Sequence, residues 1–184
     1  MSLASTANTF KFPALRSLGN LADCQPIVVV DSREQTPLVF ERLPSVRRTL
    51  LTGDYSVCGL EELVAIERKS ISDLVGSCTG ENRQRFEREL HRLRGYRFKR
   101  LLIIGTEAEI LQGRYHSGIN PKAVMATICA FEVRYDLPAV FSPTPETAAR
   151  QVERWAFYFS REIVENIYAL RRESVTDLSQ NTPH

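Results

Sequence analysis

The chain has 184 residues, of which 43% are apolar and 25% charged, and its formal net charge is +2. This length and apolar content are enough to bury a sizeable core, and they predict one compact domain. No apolar run approaches the ~18 residues of a membrane-spanning helix, and no signal-like segment opens the sequence. We therefore expect a cytoplasmic protein rather than a membrane or exported one.

The sequence divides into a patterned middle and two ends without pattern. We predict a flexible arm over residues 1–25, a folded domain over residues 26–172 and a polar tail over residues 173–184. Within the domain, strand-like and helix-like patterns alternate. That alternation predicts the α/β class.

The first half of the domain predicts three short strands. Residues 26–30 form an uninterrupted β-branched run, typical of a strand buried on both faces. Residues 50–58 and 63–69 have the pattern of two strands joined in a hairpin by a short turn. Ser70, with an acid three positions later, then indicates the start of a helix.

The second half predicts two further strands and two longer helices. The elements are a strand over 99–105, a helical turn near 107–112, a helix from Asn120 to about Arg134, a strand over 138–141 and a helix from Thr144 to about Leu170. The apolar stripe of the last helix is wider than one sheet-facing side requires. That width predicts a homodimer formed through the last two helices.

Charged residues gather at the ends of the first three strands. They are Asp31, Arg33 and Glu34 after the first, Asp54 in the second, and Glu67, Arg68 and Lys69 in the third. Alternate residues of a strand share a face, so Glu67 and Lys69 project together while Arg68 points away. A carboxylate that holds Mg²⁺ beside an ammonium group is typical of metal-dependent phosphodiesterases. Ordinary surface charges on an exposed hairpin are the alternative interpretation.

Three blocks of this sequence resemble the signature of the XPF-type nucleases, the family of XPF and the archaeal Hef nucleases, which cut branched DNA. The blocks are Val-Asp-x-Arg-Glu at 30–34, Leu-x-Gly-Asp-Tyr at 51–55 and Glu-Arg-Lys-x-x-x-Asp at 67–73. Their order and spacing fit the family, and the resemblance extends from about Pro26 to about Leu170. Glu89 departs from the pattern, because many members carry Gln there.

The resemblance implies a restriction-endonuclease-like core, an α/β fold whose mixed central sheet is flanked by helices, with the active site at a sheet edge. It implies four side-chain ligands for Mg²⁺ or Mn²⁺, namely Asp31, Glu34, Asp54 and Glu67. The backbone carbonyl of Arg68 would assist them, and Lys69 would orient the attacking water. The side chains of Arg33 and Arg68 would support the carboxylates or hold phosphate. Asp73 fits a helix cap and a catalytic role equally well.

Residues 81–100 form a strongly basic segment, with eight basic and three acidic side chains and a local net charge of +5. Arg85, Arg88 and Arg92 recur on one face of a predicted helix, whose other face is apolar. Together with Arg83, this face predicts contact with DNA phosphates that depends on salt but not on sequence. A solvated helix with internal ion pairs is the alternative.

The residues and the resemblance together predict a metal-dependent endonuclease that hydrolyses phosphodiester bonds in branched or flap DNA during repair or recombination. Two alternatives stay open: an inactive DNA-binding or scaffold domain, and a metal-dependent nuclease for another nucleic acid. Many XPF-type proteins continue into helix-hairpin-helix modules, for which this chain leaves no room. We therefore expect a standalone nuclease of bacterial or phage origin, without a nucleotide cofactor.

Overall fold

The computed structural model describes residues 25–180, with side chains described up to residue 170. Its elements are β1 (Val28–Asp31), β2 (Ser45–Arg48), β3 (Tyr55–Val57), β4 (Val64–Ser70), α1 (Ile71–Gly76), α2 (Gly80–Leu93), β5 (Phe98–Ile104), α3 (Glu107–Leu111), α4 (Pro121–Tyr135), β6 (Ala139–Ser142) and α5 (Pro145–Gln180). Within this part of the chain, no helix combines the length and apolar character needed to cross a bilayer.

The six strands form one mixed sheet in the order β2-β1-β3-β4-β5-β6. β1 is parallel to β2 and antiparallel to β3, and β3 is antiparallel to β4. β4, β5 and β6 are mutually parallel, with helices in the connections between them. The predicted α/β class with a mixed central sheet is therefore confirmed.

Alternate residues of the central strands contribute side chains to two apolar layers on opposite faces of the sheet. Ala65 and Leu101 pack in a layer with α1, α2, α3 and α4. Ile66 and Leu102 pack in the other layer, with α5. One face of β4 therefore faces α1–α4 and the other faces α5. Each charged residue of β4 points to one of these two sides according to its position in the strand.

Two predicted elements differ from the structure, and one strand of the structure was not predicted. The strand expected over 50–58 is only Tyr55–Val57, because Gly53 adopts a left-handed conformation (φ +79°) that ends the extended run. β2 was not expected, because its residues are exposed or half-buried and show no apolar alternation. α5 continues to Gln180 rather than to about Leu170, because residues 171–180 contain no Gly or Pro to end it.

The predicted helix caps are confirmed. Ser70 accepts a hydrogen bond from the backbone N–H of Asp73 at 3.1 Å and begins α1, directly after β4. Asn120 caps α4 and Pro121 is its first residue, where the missing N–H has no cost. The Ser70 cap turns the chain sharply after Lys69, so α1 begins beside the charged end of β4.

Candidate active site

Strand β4 sends its charged residues to both faces of the sheet, as its alternation predicts. Glu67 and Lys69 lie on the α1–α2 face, where Lys69 Nζ is 3.2 Å from Glu67 Oε1. The same Nζ is 4.3 Å from the ring centroid of Phe86 on α2, a distance at which the aromatic face attracts a cation. The shared side of Glu67 and Lys69 is therefore confirmed, and the lysine is held from two directions.

Arg68 points to the opposite face and binds Glu34. Its Nε and Nη2 donate hydrogen bonds to the Glu34 carboxylate at 3.2 and 3.1 Å, and its Nη2 also donates to the Thr36 hydroxyl. The backbone N–H of Thr36 donates to Glu34 at 2.8 Å. Burial raises the pKa of Glu34, but these donors outweigh it and hold the pKa below its ordinary value. The charge of Glu34 is thus neutralised within the protein.

Asp31 is neutralised in the same way, by Arg33. Its Oδ1 accepts hydrogen bonds from the Arg33 backbone N–H and Nε, and its Oδ2 accepts from Arg33 Nη2 and from the N–H of Leu50 at 2.7 Å. Burial raises the pKa of Asp31, yet the four donors outweigh it and lower the pKa. The carboxylate orders the chain after β1, with Arg33 directly against it.

Asp54 and Glu67 form the contrasting pair, because they lack a full counter-charge. Burial raises the pKa of Asp54 to about 6, and the charge of Glu34 adds to the effect. Burial raises the pKa of Glu67 to about 8, with further contributions from Asp54 and Glu89 that Lys69 only partly offsets. Asp54 Oδ2 accepts from the Arg68 backbone N–H at 2.7 Å, so in this conformation the Arg68 peptide contacts Asp54 through its N–H.

The four predicted metal ligands do not converge on one point. Within residues 25–180, no group of three or more His, Cys, Asp and Glu side chains is placed to hold a metal ion. The reason is that Asp31 and Glu34 are each turned toward an arginine. The remaining pair, Asp54 and Glu67, fits the donor set of Mg²⁺, which is usually held by one or two carboxylates together with waters and substrate phosphate.

Two clefts meet at Glu67. Both are lined by Glu67, Arg85 and Glu89. One cleft, of about 390 Å³, continues along α1 and the start of α2, past Asp73 and Asn82. The other, of about 270 Å³, continues past Asp31, Arg33, Thr52, Gly53, Asp54 and Arg92. Glu67 therefore lies between two open, polar grooves, and Asp54 lines the second of them.

The four arginines of α2 do not all face this site. Arg85 and Arg92 line the clefts, and Arg88 is exposed on the same helix. Arg83 instead donates hydrogen bonds to Glu87 at 3.0 Å and to the carbonyl of Cys78 at 3.2 Å. The expected separation of helix faces holds, since the apolar residues Phe86, Leu90 and Leu93 are all buried. Arg83 therefore departs from the predicted basic face, and Arg88 is exposed without lining either cleft.

The sequence analysis assigned no site role to two side chains that lie at the site. Glu89 lines both clefts, and its spacing of four from Arg85 and three from Arg92 on one helix face was the signal that places it there. Thr36 contacts both Arg68 and Glu34, but it lies in a loop without periodicity and gave no signal. Asp73 contributes to the cap of α1 and also lines the first cleft, so the structure is compatible with both of its expected roles.

We expect Gly53→Ala to lower the free energy of unfolding by about 1–3 kcal/mol. Gly53 has φ +79°, and a Cβ added there would lie 3.1 Å from the carbonyl oxygen of Ile66 in β4. Gly59→Ala is the matched control, because Gly59 has φ +80° but open space around it. Urea unfolding measures both variants, and equal losses would contradict a steric role for Gly53.

Comparisons with known proteins agree with this architecture. The ERCC4 domain model matches residues 30–154. Among solved structures, the chain is similar to XPF from Aeropyrum pernix, with 22% identity and a TM-score of 0.57 over 71% of this chain and 60% of that one. It is also similar to XPF from Aeropyrum pernix in complex with DNA, with 21% identity and a TM-score of 0.59 over 75% of this chain and 66% of that one.

The chain therefore spans less than two thirds of each of these XPF structures. A search of curated proteins finds no match. The matched family segment covers more than half of the chain and includes every candidate site residue from Asp31 to Arg92. The resemblance to the XPF-type nuclease domain is confirmed, and the chain belongs to the ERCC4 domain family.

Proposed function

We propose that the chain is a metal-dependent endonuclease that hydrolyses phosphodiester bonds in DNA. The observation that carries this proposal is the pair Asp54 and Glu67, a half-buried and a buried carboxylate that both lack a full counter-charge. Glu67 lines both open clefts, and Asp54 lines the second of them. Buried charges are normally compensated, as Asp31 and Glu34 are here. A carboxylate pair that one lysine compensates only in part, in a cleft, indicates a site built for an added positive charge.

Asp54 and Glu67 would hold the divalent cation. When bound, such a cation polarises the phosphoryl oxygen and makes a bound water more acidic. Lys69 would donate a hydrogen bond to the attacking water or to the phosphate oxygen on which charge develops. Its contacts with Glu67 and Phe86 fix the ammonium group before substrate arrives, which reduces the reorganisation needed during the reaction.

Arg68 and Arg33 would serve mainly to order the site. Arg68 joins Glu34 to β4, and the Arg68 N–H holds the carboxylate of Asp54. Arg33 keeps two thirds of its side chain exposed while binding Asp31, so its outer face is open to a phosphate. Asp31 and Glu34 would reach a cation only through water or after exchanging their arginine partners.

DNA is proposed to lie along the two clefts, against Arg85, Arg88 and Arg92 of α2. We expect the replacement of all three arginines by alanine to weaken DNA binding. It should also reduce the magnitude of the negative slope of log K against log salt by about 2–3 units. The matched control removes Arg150, Arg154 and Arg161 from α5, which changes the net charge equally. Fluorescence anisotropy at several salt concentrations measures both. Equal slopes in the two variants would show that the α2 face is only solvated.

Branched or flap DNA is the proposed substrate, consistent with the family and with the DNA complex of the similar XPF structure. The test measures cleavage of four labelled DNA substrates (splayed-arm, flap, Holliday-junction and plain duplex) and of labelled RNA. Each substrate is incubated with Mg²⁺, Mn²⁺ or EDTA. Metal-dependent cutting that prefers a branched substrate is the expected result. Tight binding without cutting in any metal would instead identify an inactive DNA-binding domain, and preferential cutting of RNA would reassign the substrate.

A homodimer formed through α4 and α5 is the proposed assembly. Val133 on α4 is 81% exposed, and Tyr158 and Ile167 on α5 are 56% and 55% exposed. These exposed apolar side chains, on two helices that pack on opposite faces of the sheet, support the proposal of a self-complementary interface. Sedimentation at micromolar concentration is expected to give twice the mass of the 20.9 kDa chain, and a monomer would count against the proposal.

A further inference from the structure

A buried carboxylate on α5 binds the loop that carries Glu34. Glu153 is 1% exposed, and its Oε1 accepts hydrogen bonds from the backbone N–H groups of Glu41, Arg42 and Leu43 at 2.9, 2.6 and 3.2 Å. Successive N–H groups directed at one oxygen form an anion-binding concavity. Among the described residues, Glu153 Oε2 is buried without a hydrogen-bond partner, so the side chain's hydrogen bonds to the loop are made by Oε1.

The loop depends on side chains outside it for its position. Residues 32–44 join β1 to β2 and contain no helix or strand. Besides the Arg68 contacts described above, the anchors of the loop include three further contacts. The N–H of Leu38 donates to the Tyr55 hydroxyl at 3.0 Å, the Arg47 guanidinium donates to the Glu34 carbonyl at 2.6 Å, and Glu153 accepts from the loop N–H groups. A segment without regular secondary structure opens easily when such anchors are lost. Glu153 is an anchor at the end of the loop that leads into β2.

Stability alone does not account for a glutamate at this position. Val152 and Ala156 of the same helix pack in the apolar layer beneath the sheet, and an apolar residue among them would avoid the cost of burying a carboxylate. The three loop N–H groups donate to this carboxylate and compensate that cost. The carboxylate at position 153 is therefore explained by its hydrogen bonds to the loop and not by the packing of its own helix.

We propose that Glu153 is a positioning residue that fixes loop 32–44 and, through it, the Glu34–Arg68 pair beside the active site. If the loop moves, Arg68 loses Glu34, the partner of its guanidinium, although the Arg68 side chain is only 15% exposed. The backbone N–H of Arg68 holds Asp54, so a shift of Arg68 would also displace that carboxylate. The consequence for cleavage rests on the proposed nuclease function. The consequence for the loop does not.

Hydrogen exchange by NMR tests the loop directly in Glu153→Ala. The informative amides are those of Thr36 and Leu38, because their acceptors, Glu34 and Tyr55, are unchanged by the substitution. We expect their exchange to accelerate roughly 10-fold or more, while exchange in β4 and β5 stays as in the wild type. If only the amides of residues 41–43 accelerate, Glu153 is a local cap and the proposal fails.

The matched control is Glu132→Ala. Glu132 on α4 also accepts a backbone hydrogen bond through its carboxylate, from Ala139 at 2.9 Å, but it has no contact with the loop. This variant should leave the exchange of Thr36 and Leu38 unchanged. Glu153→Gln retains an acceptor oxygen and should restore most of the protection. If Glu153→Ala is insoluble, Glu153→Asp, which shortens the reach by one methylene, is expected to show the same pattern.

Cleavage kinetics supply the second readout. Glu153→Ala is expected to lower kcat roughly 10- to 100-fold with KM for DNA near the wild-type value, since it misplaces groups at the reacting centre and not those that bind DNA. Glu153→Gln should recover most of kcat, and Glu132→Ala should be unaffected. An equal loss in Glu132→Ala would overturn the positioning role. If the wild type cuts no DNA, the nuclease proposal fails by itself, and the exchange experiment still decides the role of Glu153.

Discussion

Lys69→Ala is expected to reduce the rate of DNA cleavage by about 10²–10³-fold while leaving DNA affinity almost unchanged. The ammonium group lies 3.2 Å from Glu67 Oε1 and packs over Phe86, so it is directed at the carboxylate pair and not at the open part of the clefts. Its contribution is therefore expected where charge develops during the reaction. Losing a donor of that kind lowers kcat and not binding.

Asp54→Asn should have at least as large an effect on the rate. The amide keeps the size of the side chain and can still accept from the Arg68 N–H, but it removes one of the two charges that would hold a cation. Single-turnover cleavage and fluorescence anisotropy of the same branched DNA measure rate and affinity separately. Lys122→Ala, which removes an exposed lysine from α4, controls for the change in net charge. Turnover retained in either site variant would overturn the assignment of the active site.

The strand that carries the site was predictable because its physical signal is local. Alternation in β4 placed Glu67 and Lys69 on one face and Arg68 on the other, and the structure confirms both. The cap at Ser70 depends only on residues within one turn of it. Patterns of this kind need no knowledge of the rest of the fold, since strand period and helix capping act over a few residues.

The contacts that organise the site were not predictable, because they join distant segments through a loop. Glu34 and Arg68 are 34 residues apart in sequence, and Glu153 lies 112 residues from Glu41. In the sequence, the Glu153 carboxylate on a long amphipathic helix is indistinguishable from a solvated one. The polar edge strand β2 likewise lacks apolar alternation and is formed by pairing with β1. Tertiary pairing, and not local propensity, determines these features.

Glu67→Gln is expected to stabilise the metal-free protein at high pH while abolishing cleavage. Burial raises the pKa of Glu67 from an ordinary value of 4.5 to about 8, and that of Asp54 from 3.8 to about 6. Because both values are raised on folding, the stability these groups contribute is fully present below pH ~4 and is lost as the pH rises through ~6 and then ~8. Glu67→Gln removes the loss of stability caused by ionisation of Glu67, which is the larger of the two.

The expected gain is on the order of 2 kcal/mol at pH ~9, equivalent to a melting temperature several degrees higher, and close to zero at pH ~4. Thermal unfolding in EDTA across this pH range measures it. Glu62→Gln, at an exposed turn position, is the control and should leave the pH profile unchanged. A Glu67→Gln profile parallel to that of the wild type would show that Glu67 does not carry an uncompensated charge.

Adding Mg²⁺ or Mn²⁺ completes this experiment, because a bound cation supplies the missing counter-charge. The wild type should regain stability at high pH by an amount that grows with metal concentration, as expected for a ligand that binds only the folded state. The Glu67→Gln and Asp54→Asn variants should gain much less. The carboxylates that destabilise the metal-free protein would then be the same ones that bind the metal. Equal stabilisation of the variants and the wild type would place the cation elsewhere and separate the metal site from the Asp54–Glu67 pair.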